Sequence, residues 1–562
     1  MLLRACGMLT VVLVSLLPLS AIQAAESVVP GCKLIVASAV IEGNAEIVLL
    51  DTAQNELLNL TRTLGDEQSP AWSPDGGSLV WAAQRNGNWD VFLQDLARGT
   101  QKPLTSTPSY EGFPSFSPDG KRIAYESHAE GDVDIYVMSA AGGNGTAVIS
   151  ELGADVEPTW AGNNALLYST WRDEERHLAL RNLASGSTTL LTTPHEEPSQ
   201  AAVSRDGKRV AYVGTGEATT QLWVRDLTNN ARSEATVLRH SAWPFWGAAG
   251  QLLTLELVGG GEYSYPTGWQ LVQRATPTDA PVPLDALPAL PGLNWQRPSC
   301  APAGTKRPAG NWQPLAIALV PQLALAGNNR VGSTTPRGVS EVADIDAPSN
   351  LFANAVVGSF TRLRAQVKEQ LGYDFLFRFG DTWRSVGNSS GGMMSWHKTG
   401  RAFDVPHAYN VGGERRLYLA RQVLGDQTYF RIYLKTKKQD GSQGAPMRET
   451  VFEVLGRQND PTVVREGGFP LPPPAGYFID FTALAEREGW TRISGLTAPD
   501  GDWRKHYNDI EYWHYERRDN LRWYEAMALV QPADRLNAVM TRPKLRDAGY
   551  TLEELDRAGI PK

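Results

Sequence analysis

The stretch Pro70–Gly76, PAWSPDG, returns at Pro114–Gly120 as PSFSPDG and more loosely at Pro158–Asn164 as PTWAGNN. Weaker copies stand at Ala201 (AAVSRDG), Pro244 (PFWGAAG) and Pro298 (PSCAPAG). Successive copies begin 44, 44, 43, 43 and 54 residues apart. A fixed period in the forties is the length of one β-propeller blade. After the Asp-Gly turn comes an apolar run such as RIAYES (Arg122–Ser127), then a polar turn and a second run, DIYVMS (Asp134–Ser139). Short alternating runs punctuated by Gly, Asn and Asp are strands joined by tight turns. Six anchors predict an all-β, six-bladed first half.

The anchor phrase resembles the TolB-type propeller repeat, closely in its first two copies, over about residues 32–304. The first blade starts at CKLIVASA (Cys32–Ala39) without an anchor of its own, and no blade follows the last anchor. The strand near Trp295–Cys300 is therefore expected to complete blade one, which places Cys32 and Cys300 at the same seam. A disulfide there would clamp the ring and contribute ~4 kcal/mol. Two buried thiols are the alternative. TolB-type propellers bind protein partners in the periplasm, so the resemblance allows a periplasmic protein partner on the propeller. A rigid display platform is the other reading.

The N-terminus reads as an export signal over residues 1–25. Arg4 precedes the apolar run Met8–Leu19, and small residues follow at Ala24 and Ala25. A spanning helix needs ~20 apolar residues, so no transmembrane span is expected in the mature chain. Cys6 would leave with the signal, and the remaining pair, Cys32 and Cys300, suits one disulfide in an exported protein. Lipidation at Cys32 is disfavoured by its distance from the apolar run. The net charge of −8 over 562 residues excludes a surface built for nucleic acid, which needs clustered Lys and Arg. Localisation is expected to be periplasmic or secreted.

Residues 305–340, rich in Pro, Gly and Ala, read as a linker between a propeller over 26–304 and a second domain over 341–562. In that domain Phe352, Val356, Phe360, Leu363, Val367 and Leu371 recur at steps of three and four and stop at Gly372. This is an amphipathic helix with a glycine C-cap. YDFLFRF (Tyr373–Phe379) reads as a strand, and the tail from Pro543 as one helix.

Two pieces carry chemistry: SWHKTGRAFD (Ser395–Asp404) and EYWHYE (Glu511–Glu516). Zinc takes His nitrogen and carboxylate oxygen, and a catalytic site keeps three protein ligands. His397, Asp404 and His514 offer that set. Glu511 can take a proton from the attacking water, and Arg384, in DTWRS, can stabilise an oxyanion. His407 and His506 show that histidine here need not mean ligand. Residues three apart on a flat strand face opposite sides, so Glu511 and His514 need a bend between them to serve one ion.

The pattern S-x-H-x-x-G-x-A-x-D (Ser395, His397, Gly400, Ala402, Asp404), followed by E-x-W-H (Glu511, Trp513, His514), resembles the zinc D-Ala-D-Ala carboxypeptidases of the VanY-like group, with a hedgehog-type fold. TWRS (Thr382–Ser385) and FTALAEREGW (Phe481–Trp490) extend the resemblance to about residues 345–525. It implies an α+β domain in which His397, Asp404 and His514 bind Zn2+. Glu511 would be general base and then acid, and Arg384 would polarise the scissile carbonyl. Ser395 would support the site from behind or touch substrate, unless it is only a turn residue. A long insert at 405–480 departs from the family pattern and puts substrate preference in doubt. The expectation is an exported zinc peptidase acting on peptidoglycan peptides, a D,D-carboxypeptidase first. A peptidoglycan endopeptidase is the alternative within the class. Outside it stands a propeller-based binding protein whose zinc domain does no chemistry.

Overall fold

The computed structural model describes residues 32–41, 43–85, 87–194, 196–215, 220–235, 241–258, 268–283, 290–291, 295–315, 338–385, 393–424, 427–453, 469–495 and 510–562. The expected signal at 1–25 and most of the expected linker lie outside them.

The first half is an all-β, propeller-like arrangement of six antiparallel sheets. Local chemistry starts each repeat. Ser73 Oγ donates to Asp75 Oδ1 at 2.6 Å, accepts from the Ser78 N–H at 2.9 Å, and Asp75 accepts from the Gly77 N–H. Ser117–Asp119 and Ser204–Asp206 repeat the 2.6 Å bond. The residue before each anchor takes a left-handed backbone: Ser69, Phe113, Glu157, Gln200, Trp243 and Arg297 all have φ between 47° and 59°. Each sits at a register shift, so every inner strand bulges at the same place. A bulge bends its strand and raises the local twist. The inner strands neighbour one another in a closed cycle, the last (Gln296–Cys300) lying beside the first (Glu67–Trp72).

The seam closes as the ring requires. Gln296–Cys300 pairs with Leu34–Ile41, Cys300 opposite Ile35, and completes the sheet that opens the chain. Cys32 and Cys300 form a disulfide with Cα atoms 5.3 Å apart. Part of the stretch read as linker packs on the same sheet. Gln313–Pro314 pairs with its outer edge, and Leu315 is buried beside Cys32.

In the C-terminal half the Asn354–Leu371 helix buries Val356, Phe360, Leu363, Val367 and Leu371 completely. Gly372 caps it at φ 75°, its N–H donating to Lys368 O, as a left-handed C-cap does. The stripe packs on Phe403, Trp490 and Tyr515 and on the Leu417–Leu424 and Gln427–Lys435 hairpin of a five-stranded sheet. That hairpin belongs to the 405–480 insert. Two expectations fail. Tyr373–Phe379 is not a strand but contains a short 3-10 turn at Phe375–Phe377. The consecutive Phe375 and Leu376 are both fully buried, which an alternating strand face does not allow. The tail is two short helices, Arg542–Asp547 and Leu552–Arg557, broken at Gly549 with φ 98°. No helix among the described residues is long and apolar enough to cross a membrane.

Candidate metal centre

The site is assembled from two short strands and a turn. His397 stands in a 3-10 turn, Trp396–Thr399, that ends at Gly400. Gly400 has φ 67°, and a Cβ there would lie 2.7 Å from the Ala353 backbone nitrogen. Only glycine allows this reversal. The Ala402–Asp404 strand then pairs antiparallel with His514–Glu516, with Asp404 directly opposite His514.

Three donor atoms converge. His397 Nε2 lies 3.1 Å from Asp404 Oδ1 and 3.2 Å from His514 Nδ1, and Asp404 Oδ1 lies 2.9 Å from His514 Nδ1. Both histidines are buried. Two imidazole nitrogens and a carboxylate oxygen suit a divalent transition metal. A tetrahedral ion about 2.0–2.1 Å from each donor spaces the donors roughly 3.4 Å apart. The observed separations approach this, so the residues fit a metal ion.

The chain bends between Glu511 and His514. Glu511 takes φ 39°, and its carbonyl accepts from the His514 N–H at 3.1 Å. Glu511–His514 is therefore a tight four-residue turn rather than flat strand.

Electrostatics tie the group together. Burial alone would raise the Asp404 carboxyl, but its hydrogen bonds to His397 and His514 outweigh this and hold it far below the usual carboxylate range. Burial would lower His514, yet the carboxylates of Asp404 and Glu516 push it up to about 10. Burial holds His397 below its ordinary value. Arg384 places one guanidinium nitrogen 3.6 Å from Asp404 Oδ2 and donates from Nε to Asp381 Oδ2 at 2.5 Å, while its backbone N–H donates to His397 O at 3.3 Å. Ser395 contributes its backbone: its carbonyl accepts from Trp523 Nε1 at 2.9 Å and from the Lys398 N–H.

Sequence reading passed over Glu516. Its Oε2 lies 3.4 Å from His514 Nε2, the nitrogen facing away from Asp404, and Arg518 Nε donates to its other oxygen at 2.6 Å. A signal was present, because residues two apart on a strand share a face. Asp381, which holds Arg384, carried no such signal. His407 stays exposed and lies against Trp513, the rings tilted by 31° with centres 3.9 Å apart. His506 lies outside the described residues.

Residues 88–262 match the TolB beta propeller domain family. No curated protein sequence matches the chain. Among solved structures, the chain is similar to TolB from Acinetobacter baumannii at 21% identity, covering 48% of this chain and 67% of that one, with a TM-score of 0.41. A proposed TolB of Agrobacterium tumefaciens is 16% identical over 44% of this chain and 88% of its own, TM-score 0.37. A puromycin-hydrolysing peptidase of Mycobacterium tuberculosis is 17% identical over 43% of this chain and 41% of its own, TM-score 0.35. The family match over residues 88–262, within the ring of sheets, gives the N-terminal half a TolB-type β-propeller.

Proposed function

We propose that the protein is an exported zinc metallopeptidase that hydrolyses peptidoglycan stem peptides, with D,D-carboxypeptidase as the leading activity and a six-bladed propeller as its scaffold. The observation that supports this most is the convergence of His397 Nε2, Asp404 Oδ1 and His514 Nδ1, with Arg384 at the second oxygen of Asp404. His397, Asp404 and His514 would hold the ion, which supplies Lewis-acid polarisation of the substrate carbonyl and of water. Glu511, at the head of the turn into His514, takes the proton of the attacking water and returns it to the departing amine. Arg384, oriented by Asp381, faces the charge that develops on the carbonyl oxygen. The disulfide suits an oxidising compartment such as the periplasm.

The test is mass spectrometry of muropeptides incubated with the mature protein, with and without a chelator, beside Glu511→Ala. Chelator-sensitive loss of one terminal alanine, absent in the variant, supports the carboxypeptidase. A chelator-sensitive cut within the stem or cross-link assigns an endopeptidase instead. No cleavage by zinc-loaded protein would overturn the enzymatic reading in favour of a binding protein.

A further inference from the structure

The insert at 405–480 meets the propeller at both ends of its long hairpin. At one end it seats on the face where the inner strands bulge. Arg448 Nε donates to the buried Glu126 Oε2 at 2.7 Å, with its guanidinium 5.3 Å from the Tyr110 ring centre, and its carbonyl accepts from Arg176. The Tyr110 N–H donates to Tyr477 Oη at 3.2 Å, and Thr450 Oγ1 donates to Glu197 at 2.8 Å. At the other end Leu424 and Tyr429 close on Leu257 of the propeller, all three nearly inaccessible. These contacts combine apolar burial with charge-assisted hydrogen bonds, the stronger kind.

The same hairpin reaches the candidate base. Thr428, beside Tyr429, accepts from the Gly495 N–H at 2.8 Å. Gly495 in turn lies against Ile510: a Cβ on it would stand 3.1 Å from Ile510 O. Ile510 immediately precedes Glu511, and Phe430 packs in the same core as Tyr512 and Tyr515. The route from propeller to turn therefore runs through the buried cluster of Leu257, Leu424 and Tyr429, the Thr428–Gly495 hydrogen bond and the close approach of Gly495 to Ile510.

We propose that the partner of this propeller face is the chain's own insert, and that docking there positions the Glu511–His514 turn. Arg448, Leu257 and Thr428 are positioning residues. The inference rests on the proposed role of Glu511 for its catalytic meaning, but the mechanical coupling stands apart from it.

The experiment compares hydrogen exchange at Gly495 and His514 in the full mature chain as wild type, Arg448→Glu, Leu257→Asp and Leu152→Asp. The last is a control at a 95% exposed leucine on a propeller loop. The expected result is at least about tenfold faster exchange at both amides in the two docking variants, with bound zinc per chain unchanged and the control like wild type. Where the wild type turns over, kcat falls in the docking variants with little change in KM. Exchange at wild-type rates in both docking variants overturns the proposal, whatever the turnover. Should Arg448→Glu or Leu257→Asp lose the folded near-ultraviolet circular dichroism, Arg448→Lys and Leu257→Ala replace them under the same criterion. Absence of turnover in the wild type refutes the enzymatic reading and leaves the exchange comparison to decide the coupling.

Discussion

Asp404 and His514, 110 residues apart in the chain, are directly opposed partners in one antiparallel strand pair, and Asp404 Oδ1 lies 2.9 Å from His514 Nδ1. The pairing, rather than a flexible loop, sets the distance between two of the three donors. Register is strongly specified where strands are buried, since a slip of one residue turns every side chain over. Here Phe403 and Tyr515, the neighbouring opposed pair, are fully buried and stack at 5.6 Å.

A first consequence concerns the ligands. Asp404→Ala removes the one donor that bonds to both histidines. Metal content measured by elemental analysis after dialysis should fall from about one ion per chain to well below one. Retention of a full equivalent would show that the ion sits elsewhere.

Glu516 would act on a bound ion through His514, whose Nε2 it holds so that Nδ1 faces the other donors. Outer partners of this kind change metal affinity by about 10–100-fold. Glu516→Gln should weaken zinc binding by that factor in competition with a chromophoric chelator, while the Cys32–Cys300 seam and the ring sheets stay unaffected.

The pH dependence has a definite sign. In metal-free protein His514 is pushed up to about 10 by Asp404 and Glu516 against the opposing effect of burial, so it carries a proton at pH 7.5. His397, held low by burial, does not. Metal binding must expel the His514 proton, so the apparent affinity rises with pH, about tenfold per unit below pH 10. Calorimetry in buffers of different ionisation enthalpy should report about one proton released per ion at pH 7.5. Zero release would mean that His514 is already neutral.

Gly400→Ala should be costly although Gly400 has no side chain to offer an ion. It places a side chain on a left-handed backbone and against the Ala353 nitrogen. A destabilisation of about 2 kcal/mol or more is expected in urea unfolding, accompanied by weaker metal binding because His397 hangs on that turn.

At the ring seam, Cys300→Ser opens a crosslink between residues 268 apart in sequence. Closing so long a loop restrains the unfolded chain, and its loss should cost about 4 kcal/mol. Denaturant unfolding with and without reductant measures this directly. Equal midpoints would show that the sheet pairing alone holds the ring.

What could be read from sequence was local in its physics. The Ser-x-Asp-Gly turns depend on hydrogen bonds between residues two to five apart, so Ser73, Ser117 and Ser204 announce their turns wherever they stand. The Phe360 helix declares itself by the same logic, through apolar spacing and a capping glycine. His397, Asp404 and His514 were legible as residue types at a known spacing. Their convergence was not, because it depends on a strand register across 110 residues. The strand expected over Tyr373–Phe379 does not form because the consecutive Phe375 and Leu376 are both buried while Phe377 faces outward, a pattern set by packing. Glu511's left-handed turn and the seating of Arg448 on Glu126 likewise belong to tertiary structure alone. Each costs backbone strain or desolvation that only surrounding burial and hydrogen bonds offset, and no window of neighbouring residues contains those terms.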